Sequence, residues 1–193
     1  MILDATAGNR VIWNVKDLDS VIYVDIERQI ERKPTLFADN TKLPFRDKTF
    51  DTVFFDPPYG WNFKSMFYSF PNEHLQKAQY ATLTRNGTPS YYGMERYKTR
   101  EALISYIYRA QKELCRVLKD DGLLWFKWNE LRFPLPRVQI VLDRWEEVLR
   151  FELKSRKQQL GREQTFWLCL TKLQNTPTVK TLEEYVMPME VLA

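Results

Sequence analysis

The stretch Asp51-Thr-Val-Phe-Phe-Asp-Pro-Pro-Tyr59 combines a short apolar run with a stiff exit, and it decides how the chain is interpreted. The run from Asp51 to Phe55 has the composition and length of a buried strand. Two prolines follow Asp56, so residues 56 and 57 stay extended and two backbone donors are lost. The predicted strand therefore ends on two acceptors, the Asp56 carboxylate and the Pro57 carbonyl, beside the flat ring of Tyr59.

Three shorter apolar runs precede this stretch, and each of them also ends at an aspartate. Ligands of an open parallel sheet bind outside the carboxyl ends of its strands. We therefore expect four carboxylates, including Asp56, to line one cleft. The three earlier predicted strands are residues 1–3, 21–24 and 35–38, which end at Asp4, Asp25 and Asp39.

The rest of the chain alternates helical and strand patterns, which predicts an α/β fold with a central, mostly parallel sheet and a terminal antiparallel hairpin. We expect one domain over residues 1–175, a substrate-facing loop or lid at 57–99 and a C-terminal tail at 176–193. The predicted helices are 10–16, 100–118 (ended by a turn at 120–122) and 136–148; 27–33 is a helix or turn. The later predicted strands are 123–128, 148–155 and 165–171.

Composition excludes several classes of protein. With 44% hydrophobic residues among 193, the chain is not a disordered protein. Cys115 and Cys169 share no motif and His74 is the single histidine, so we expect neither a disulfide scaffold nor a metal site. No run is long enough to span a bilayer, and the N-terminus lacks signal-peptide features. We expect a cytoplasmic protein without membrane contact.

The net charge of +4 and the pI near 9.0 leave two interpretations open. One is ordinary solubility, and the other is a polyanionic partner such as nucleic acid. A second basic group, Lys154, Arg156, Lys157 and Arg162, either holds phosphates or is a solvated edge.

The first turn, from Asp4 to Arg10, contains Gly8 but places Arg10 where a dinucleotide-binding turn has glycine. This favours a ligand without a pyrophosphate. Asp25 is spaced to accept hydrogen bonds from ribose hydroxyls, and Asp39 to bind an adenine amino group. A cationic nucleoside such as S-adenosylmethionine (SAM) suits these carboxylates.

These motifs resemble the class I SAM-dependent methyltransferases, specifically those that methylate amino groups of nucleic-acid bases. Their fourth-strand motif, (D/N/S)PP(Y/F/W), matches Asp56 to Tyr59 fully, and their first motif matches Asp4 and Gly8 but not Arg10. The resemblance implies a Rossmann-like methyltransferase fold, SAM as cofactor, and catalytic roles for Asp56, Pro57, Pro58 and Tyr59. The implied cofactor-binding residues are Asp4, Ala5, Thr6, Gly8, Asp25, Asp39, Asn40 and Asp56.

The motif order is similar to that of small N6-adenine DNA methylases, and we expect no upstream helix and no separate target-recognition domain. The favoured target is therefore adenine N6 in DNA. The alternatives are guanine N2 in RNA, since DPPYG is also seen there, and a non-catalytic SAM- or nucleic-acid-binding module. We expect nucleic acid as partner, and a monomer or homodimer.

Residues 57–99 carry ten aromatic residues and five Lys or Arg against two Glu. Aromatic platforms interleaved with positive charge suit single strands or flipped bases. We predict substrate contacts for Tyr59, Trp61, Tyr91 and Tyr92, whereas Phe67, Phe70 and Tyr80 are expected to form a small core beneath the loop.

Overall fold

The computed structural model describes most of the predicted domain. The described residues are 1–28, 30–61, 82–83, 89–90, 93, 96–130, 133–153 and 164–173, with backbone alone at 82–83 and 89–90. Several predictions therefore lie outside the described residues: the tail at 176–193, the second basic group and the small core under the loop. The C-terminal limit of the expected domain, residue 175, lies outside them as well.

Nine strands and two helices occur in this part of the chain. The strands are β1 (Ile2–Asp4), β2 (Val21–Asp25), β3 (Leu36–Phe37), β4 (Phe50–Phe55), β5 (Thr82–Leu83), β6 (Pro89–Ser90), β7 (Leu118–Asn129), β8 (Trp145–Leu153) and β9 (Thr165–Lys172). The helices are α1 (Arg100–Val117) and α2 (Leu135–Gln139).

Seven of the strands form one sheet in the order β3-β2-β1-β4-β7-β9-β8. The pairs from β3 to β7 are parallel, while β9 is antiparallel to both β7 and β8. β5 and β6 form a separate antiparallel pair. The expected α/β fold with a mostly parallel sheet and a terminal antiparallel hairpin is confirmed, and the carboxyl ends of β1 to β4 lie on one edge.

The connection from β1 to β2 contains turns, so the predicted helix at residues 10–16 is wrong. Arg10 has a φ of 57°, in the left-handed region that a right-handed helix excludes. Its side chain holds this conformation, because it donates to the Lys16 and Lys33 carbonyls, pairs with Asp17 and stacks on Tyr23. For 27–33, predicted as a helix or a turn, the described residues form bends and no helix.

Helix α1 agrees with its prediction to within one residue, but the chain after it does not. Thr99 caps the helix by accepting a hydrogen bond from the Ala102 N–H. At Leu118 the backbone turns directly into β7, so the predicted turn at residues 120–122 is wrong. Gly122 lies within the strand, where a Cβ would be 2.9 Å from the Asp51 carbonyl oxygen.

Helix α2 is shorter than the predicted helix at 136–148. The apolar residues that suggested the longer helix do face the core, since Val138, Leu142 and Trp145 are all buried. Past residue 139, however, hydrogen bonds three residues apart replace the helical pattern. The Trp145 indole then donates to Gln111 of α1 at 2.9 Å, which fixes the first residue of β8.

The two faces of the sheet differ in their covering. One face packs Phe50, Phe55, Phe126 and Trp128, all fully buried, in the same core cluster as apolar residues of α1. The other carries half-buried aromatic rings, such as Trp125 stacked on Phe54. Among the described residues, no helix combines the length and hydropathy needed to cross a membrane.

Candidate functional site

The turn after β1 forms one wall of a cleft at the carboxyl edge of the sheet. Gly8 lines this cleft with a φ of 47°, and a Cβ there would meet nothing within 4 Å. Glycine adopts this left-handed conformation without a steric penalty. The turn therefore presents bare backbone to the open space.

Asp25 joins this turn to the end of β2. One carboxylate oxygen accepts from the Gly8 N–H at 2.7 Å, and the other accepts from the Glu27 N–H at 2.7 Å. Each carboxylate oxygen has a second lone pair, so Asp25 retains acceptor capacity toward the cleft. This is the capacity that a ribose diol requires.

Asp39 and Asn40 follow β3 and line the same cleft. Asp39 is exposed, and its Oδ1 accepts from both the N–H and the hydroxyl of Thr41 at 2.8 Å. Asn40 is buried and donates to the Ala5 carbonyl at 3.0 Å and to the Tyr106 hydroxyl at 2.9 Å. Asn40 thus ties the first turn to α1 beneath the cleft.

Tyr97 and Tyr106 also line the cleft, and the sequence reasoning gave neither a role in the site. Their ring centroids lie 5.0 Å apart. Burial raises the pKa of both phenols above the ordinary value, so each stays protonated. The signal for Tyr106 was available in principle, because it lies one turn after Leu103 on the buried face of α1.

Asp56 lies at the end of β4 with its backbone and carboxylate both held. Its N–H donates to the Thr6 hydroxyl at 2.7 Å, and its Oδ2 accepts from Lys127 Nζ at 2.6 Å. Burial raises the pKa of Asp56, and the adjacent Lys127 opposes this shift. The role of Lys127 was missed because its position in an almost wholly apolar strand predicts no particular partner.

The prolines and the tyrosine of the motif take different positions. Pro58 lines the cleft beside Asp56, and Pro57 is buried. Tyr59 is 8% exposed and belongs to the main apolar core. Trp61 is partly buried, with its ring 6.3 Å from that of Phe133.

Asp4 is not among the residues that line the cleft, unlike the other three strand-end aspartates. It is buried, and its carboxylate accepts from the Trp13 indole at 2.7 Å and from the Thr6 N–H at 3.2 Å. Burial raises the pKa of Asp4 to about 7, although both hydrogen bonds oppose the shift. Asp4 supports the turn, while Ala5, Thr6 and Gly8 form the cleft wall.

The C-terminal part of the segment 57–99 also lines the cleft, as Pro58 does at its start. Gly93, Arg96 and Tyr97 line it, and a Cβ on Gly93 would lie 3.5 Å from Pro58. Tyr91 and Tyr92, two of the predicted substrate contacts, lie outside the described residues.

The cleft encloses about 240 Å³, and its described lining is acidic. Arg96 is paired with Glu27 at 2.8 Å. The excess of carboxylates disfavours a polyphosphate and favours a ligand that is neutral or cationic. The charged residues in the lining are Asp25, Glu27, Asp39, Asp56, Arg96 and Arg109.

Solved structures share this architecture at low sequence identity. The PH0226 protein from Pyrococcus horikoshii OT3 is 15% identical with a TM-score of 0.53, over 89% of this chain and 81% of that one. The 4+2 cyclase SpnF is 13% identical with a TM-score of 0.50, over 89% of this chain and 74% of that one. A SAM-dependent methyltransferase from Leishmania major is 11% identical with a TM-score of 0.46, over 88% of this chain and 63% of that one.

No family model matches the chain, and no curated protein is significantly similar to it in sequence. The sheet order and the structural neighbours give the chain a Rossmann-like α/β fold, with a mostly parallel sheet that ends in an antiparallel hairpin. A cyclase is among these neighbours, so the fold does not decide the reaction. The function must be argued from the site.

Proposed function

We propose that this protein is a methyltransferase that transfers a methyl group from SAM to an exocyclic amino group of a nucleic-acid base, with adenine N6 in DNA as the favoured target. One observation carries the proposal. The Asp56-Pro-Pro-Tyr motif lies at the same edge of the sheet as Gly8 and Asp25, the residues suited to bind a nucleoside. Asp56, Gly8 and Asp25 line one cleft.

The residues present fit SAM as cofactor. The Gly8 turn offers backbone without a side chain, Asp25 offers carboxylate lone pairs to a ribose, and Asp39 is exposed at the same edge. The acidic lining suits a cationic sulfonium and needs no phosphate-binding group. Ala5, Thr6 and Asn40 would complete the binding wall.

Asp56 and the Pro57 carbonyl are suited to orient an amine. The chemistry that SAM supplies when bound is an electrophilic methyl group on a sulfonium cation. An adenine amine is a poor nucleophile, because its lone pair is delocalised into the ring. Two acceptors that hold its hydrogens favour a more pyramidal nitrogen, and correct positioning of the reactants can supply ~7–11 kcal/mol of the barrier.

Aromatic stacking would complete substrate binding, and Tyr59 and Trp61 are the described candidates. Tyr59 is only 8% exposed, so a base can stack on its ring only after the ring becomes accessible. Trp61 retains partial exposure and is the more accessible of the two. Stacking on an aromatic side chain is worth ~1–3 kcal/mol per base.

The first test is methyl transfer from labelled SAM to duplex DNA, single-stranded DNA and RNA, with the modified nucleoside identified by mass spectrometry. We expect N6-methyl-2′-deoxyadenosine in the DNA digest. Detection of N2-methylguanosine in RNA would support the proposed role of Asp56 but would show that the substrate is guanine in RNA and not adenine in DNA. Absence of label in every nucleic acid would refute the proposed activity.

The variant Asp56→Ala separates an enzyme from a binding module. We expect turnover to fall about a hundredfold or more, the usual scale for loss of one preorganised polar group, while SAM affinity stays within a fewfold. Asp51→Ala is the matched control, because Asp51 lies at the opposite end of β4 and pairs with Lys119. Equal activity of both variants would contradict the role of Asp56.

A further inference from the structure

Lys127 contacts the carboxylate at the centre of the proposed site. β4 and β7 are parallel neighbours with Phe55 opposite Phe126, so the next residues, Asp56 and Lys127, are adjacent at the carboxyl edge. Lys127 Nζ donates to Asp56 Oδ2 at 2.6 Å, with the two side chains 23% and 13% exposed. The pair is therefore largely withdrawn from water. Its electrostatic attraction is screened less than that of an exposed ion pair.

The neighbouring strand holds the lysine in place. Trp167 of β9 lies opposite Lys127, and Lys127 Nζ is 5.9 Å from the centroid of its ring. Trp167 in turn packs edge-on against Phe54 at 6.1 Å. This aromatic support fixes the lysine stem and adds a favourable cation–π contact.

The hydrogen bonds of Asp56 are unevenly distributed. Its backbone N–H is satisfied by the Thr6 hydroxyl, and Oδ2 is satisfied by Lys127. Among the described residues, no donor reaches Oδ1, although Asp56 lines the cleft. One carboxylate oxygen is thus anchored and the other remains available to a ligand.

We propose that Lys127 is a positioning residue, which binds Oδ2 of Asp56, keeps the carboxylate charged and reserves Oδ1 for the substrate amine. This inference rests on the proposed function and deepens it. A charged carboxylate can only accept hydrogen bonds, so it selects a group with N–H donors and rejects a carbonyl or a ring nitrogen acceptor.

The electrostatics of this edge show why a cation is required. Burial raises the pKa of Asp56, and the Lys127 ammonium lowers it. The other ionisable groups on adjoining strand ends are Asp4 and Asp25, and both are acidic; Arg96 and Arg109 are the cations of the cleft lining. Without Lys127, the carboxyl would therefore take up a proton at a higher pH than it does now.

The test is the pH–rate profile of Lys127→Met, with Lys127→Arg and Lys119→Met as controls. Lys119 also lies on β7 and also pairs with an aspartate of β4, Asp51, at 2.6 Å, but at the opposite end. We expect Lys127→Met to lose at least tenfold in kcat at pH 7 and to recover as the pH rises toward 9. Lys119→Met should keep the wild-type profile, including any inflection near pH 7 from Asp4, and Lys127→Arg, which retains the cation, should rescue the loss at pH 7 seen in Lys127→Met.

A uniform loss at every pH in Lys127→Met would overturn the proposal, because it would indicate a merely structural role. An unchanged rate in Lys127→Met would overturn it as well. If the wild-type protein transfers no methyl group at all, the proposed function fails separately. The Asp56 carboxyl titration, followed by carbon NMR in wild type and Lys127→Met, then decides whether Lys127 keeps that carboxylate charged.

Discussion

Different groups stabilise the two strand-end carboxylates Asp4, which is buried, and Asp56, which is largely but not fully buried. Asp56 faces a lysine, whereas among the described residues the donors to Asp4 are neutral: the Trp13 indole and the Thr6 N–H. Neutral donors compensate desolvation less than an opposite charge does. Burial raises the pKa of both carboxyls, to about 7 at Asp4, where neutral hydrogen bonds oppose the shift; at Asp56 the Lys127 ammonium opposes it.

This pKa predicts a pH-dependent stability. Between about pH 4 and pH 7 the folded state binds more protons at Asp4 than the unfolded state, so stability falls as the pH rises. We expect Asp4→Asn to remove roughly a few kcal/mol of that decline, measured by urea unfolding from pH 4 to 8. Superimposable pH profiles of the two proteins would contradict the prediction.

Asp51→Asn is the matched control for this experiment. The pKa of Asp51 is lowered to about 2 by its hydrogen bond with Lys119. Its contribution is therefore complete above the ordinary pKa near 3.8 and is lost only as the pH falls toward 2. The two substitutions should act in separate pH windows.

The strand ends were predictable at the residue scale, but the environment of each was not. Apolar runs ending at Asp25 and Asp56 place carboxylates on one edge, because parallel strands share their direction. Whether a carboxylate lines the cleft or is buried beside Trp13, as Asp4 is, depends on contacts that no run of residues encodes. Lys127 was missed for the same reason.

At the scale of elements, Thr6 connects the turn after β1 to the exit of β4. The Ala5 N–H donates to the Phe54 carbonyl at 2.9 Å, and the Thr6 hydroxyl accepts from the Asp56 N–H at 2.7 Å. The two strands thus remain bonded beyond the end of β1. The wall proposed for the cofactor and the Asp56-Pro-Pro-Tyr motif are held as one unit.

Thr6→Val tests this connection with little change in shape. The substitution leaves the Asp56 N–H without its acceptor, which costs about 1–3 kcal/mol when the donor is buried. We expect a lower urea midpoint and slower methyl transfer, while Thr6→Ser keeps the acceptor and both properties. A Thr6→Val protein as stable and active as wild type would show that the bond is dispensable.

Helix α1 and the final hairpin were predictable because their signals are local: apolar residues at helical spacing and two β-rich runs. The connection at residues 10–16 was not. Arg10 takes a left-handed conformation there because Lys16, Asp17 and Lys33 bind its side chain. Those contacts depend on the tertiary fold, so propensity alone predicts the wrong element.

At the scale of the whole molecule, the net charge of +4 coexists with an acidic cleft. This separation suits a protein that binds a cationic cofactor in the cleft and a polyanion on the surrounding surface. Composition alone did not decide between ordinary solubility and a polyanionic partner. The proposed nucleic-acid substrate makes the second alternative testable.

Salt dependence is the measurement that follows from this charge distribution. Each phosphate neutralised by the protein contributes about −0.9 to the slope of log K against log salt. A fourfold rise in salt should therefore weaken DNA binding by about 3.5-fold per contact, while SAM affinity changes far less. A DNA affinity that does not respond to salt would argue for a substrate other than a nucleic acid.

The position of β7 between β4 and β9 has a consequence for how the chain folds during synthesis. Its rings Phe126 and Trp128 are fully buried only once strands from both earlier and later sequence have joined the sheet. A ribosome releases β9 well after β7, so these rings wait for the second neighbouring strand of β7. Such distant pairings slow folding and leave apolar surface of a nascent chain exposed to aggregation until β9 has joined the sheet.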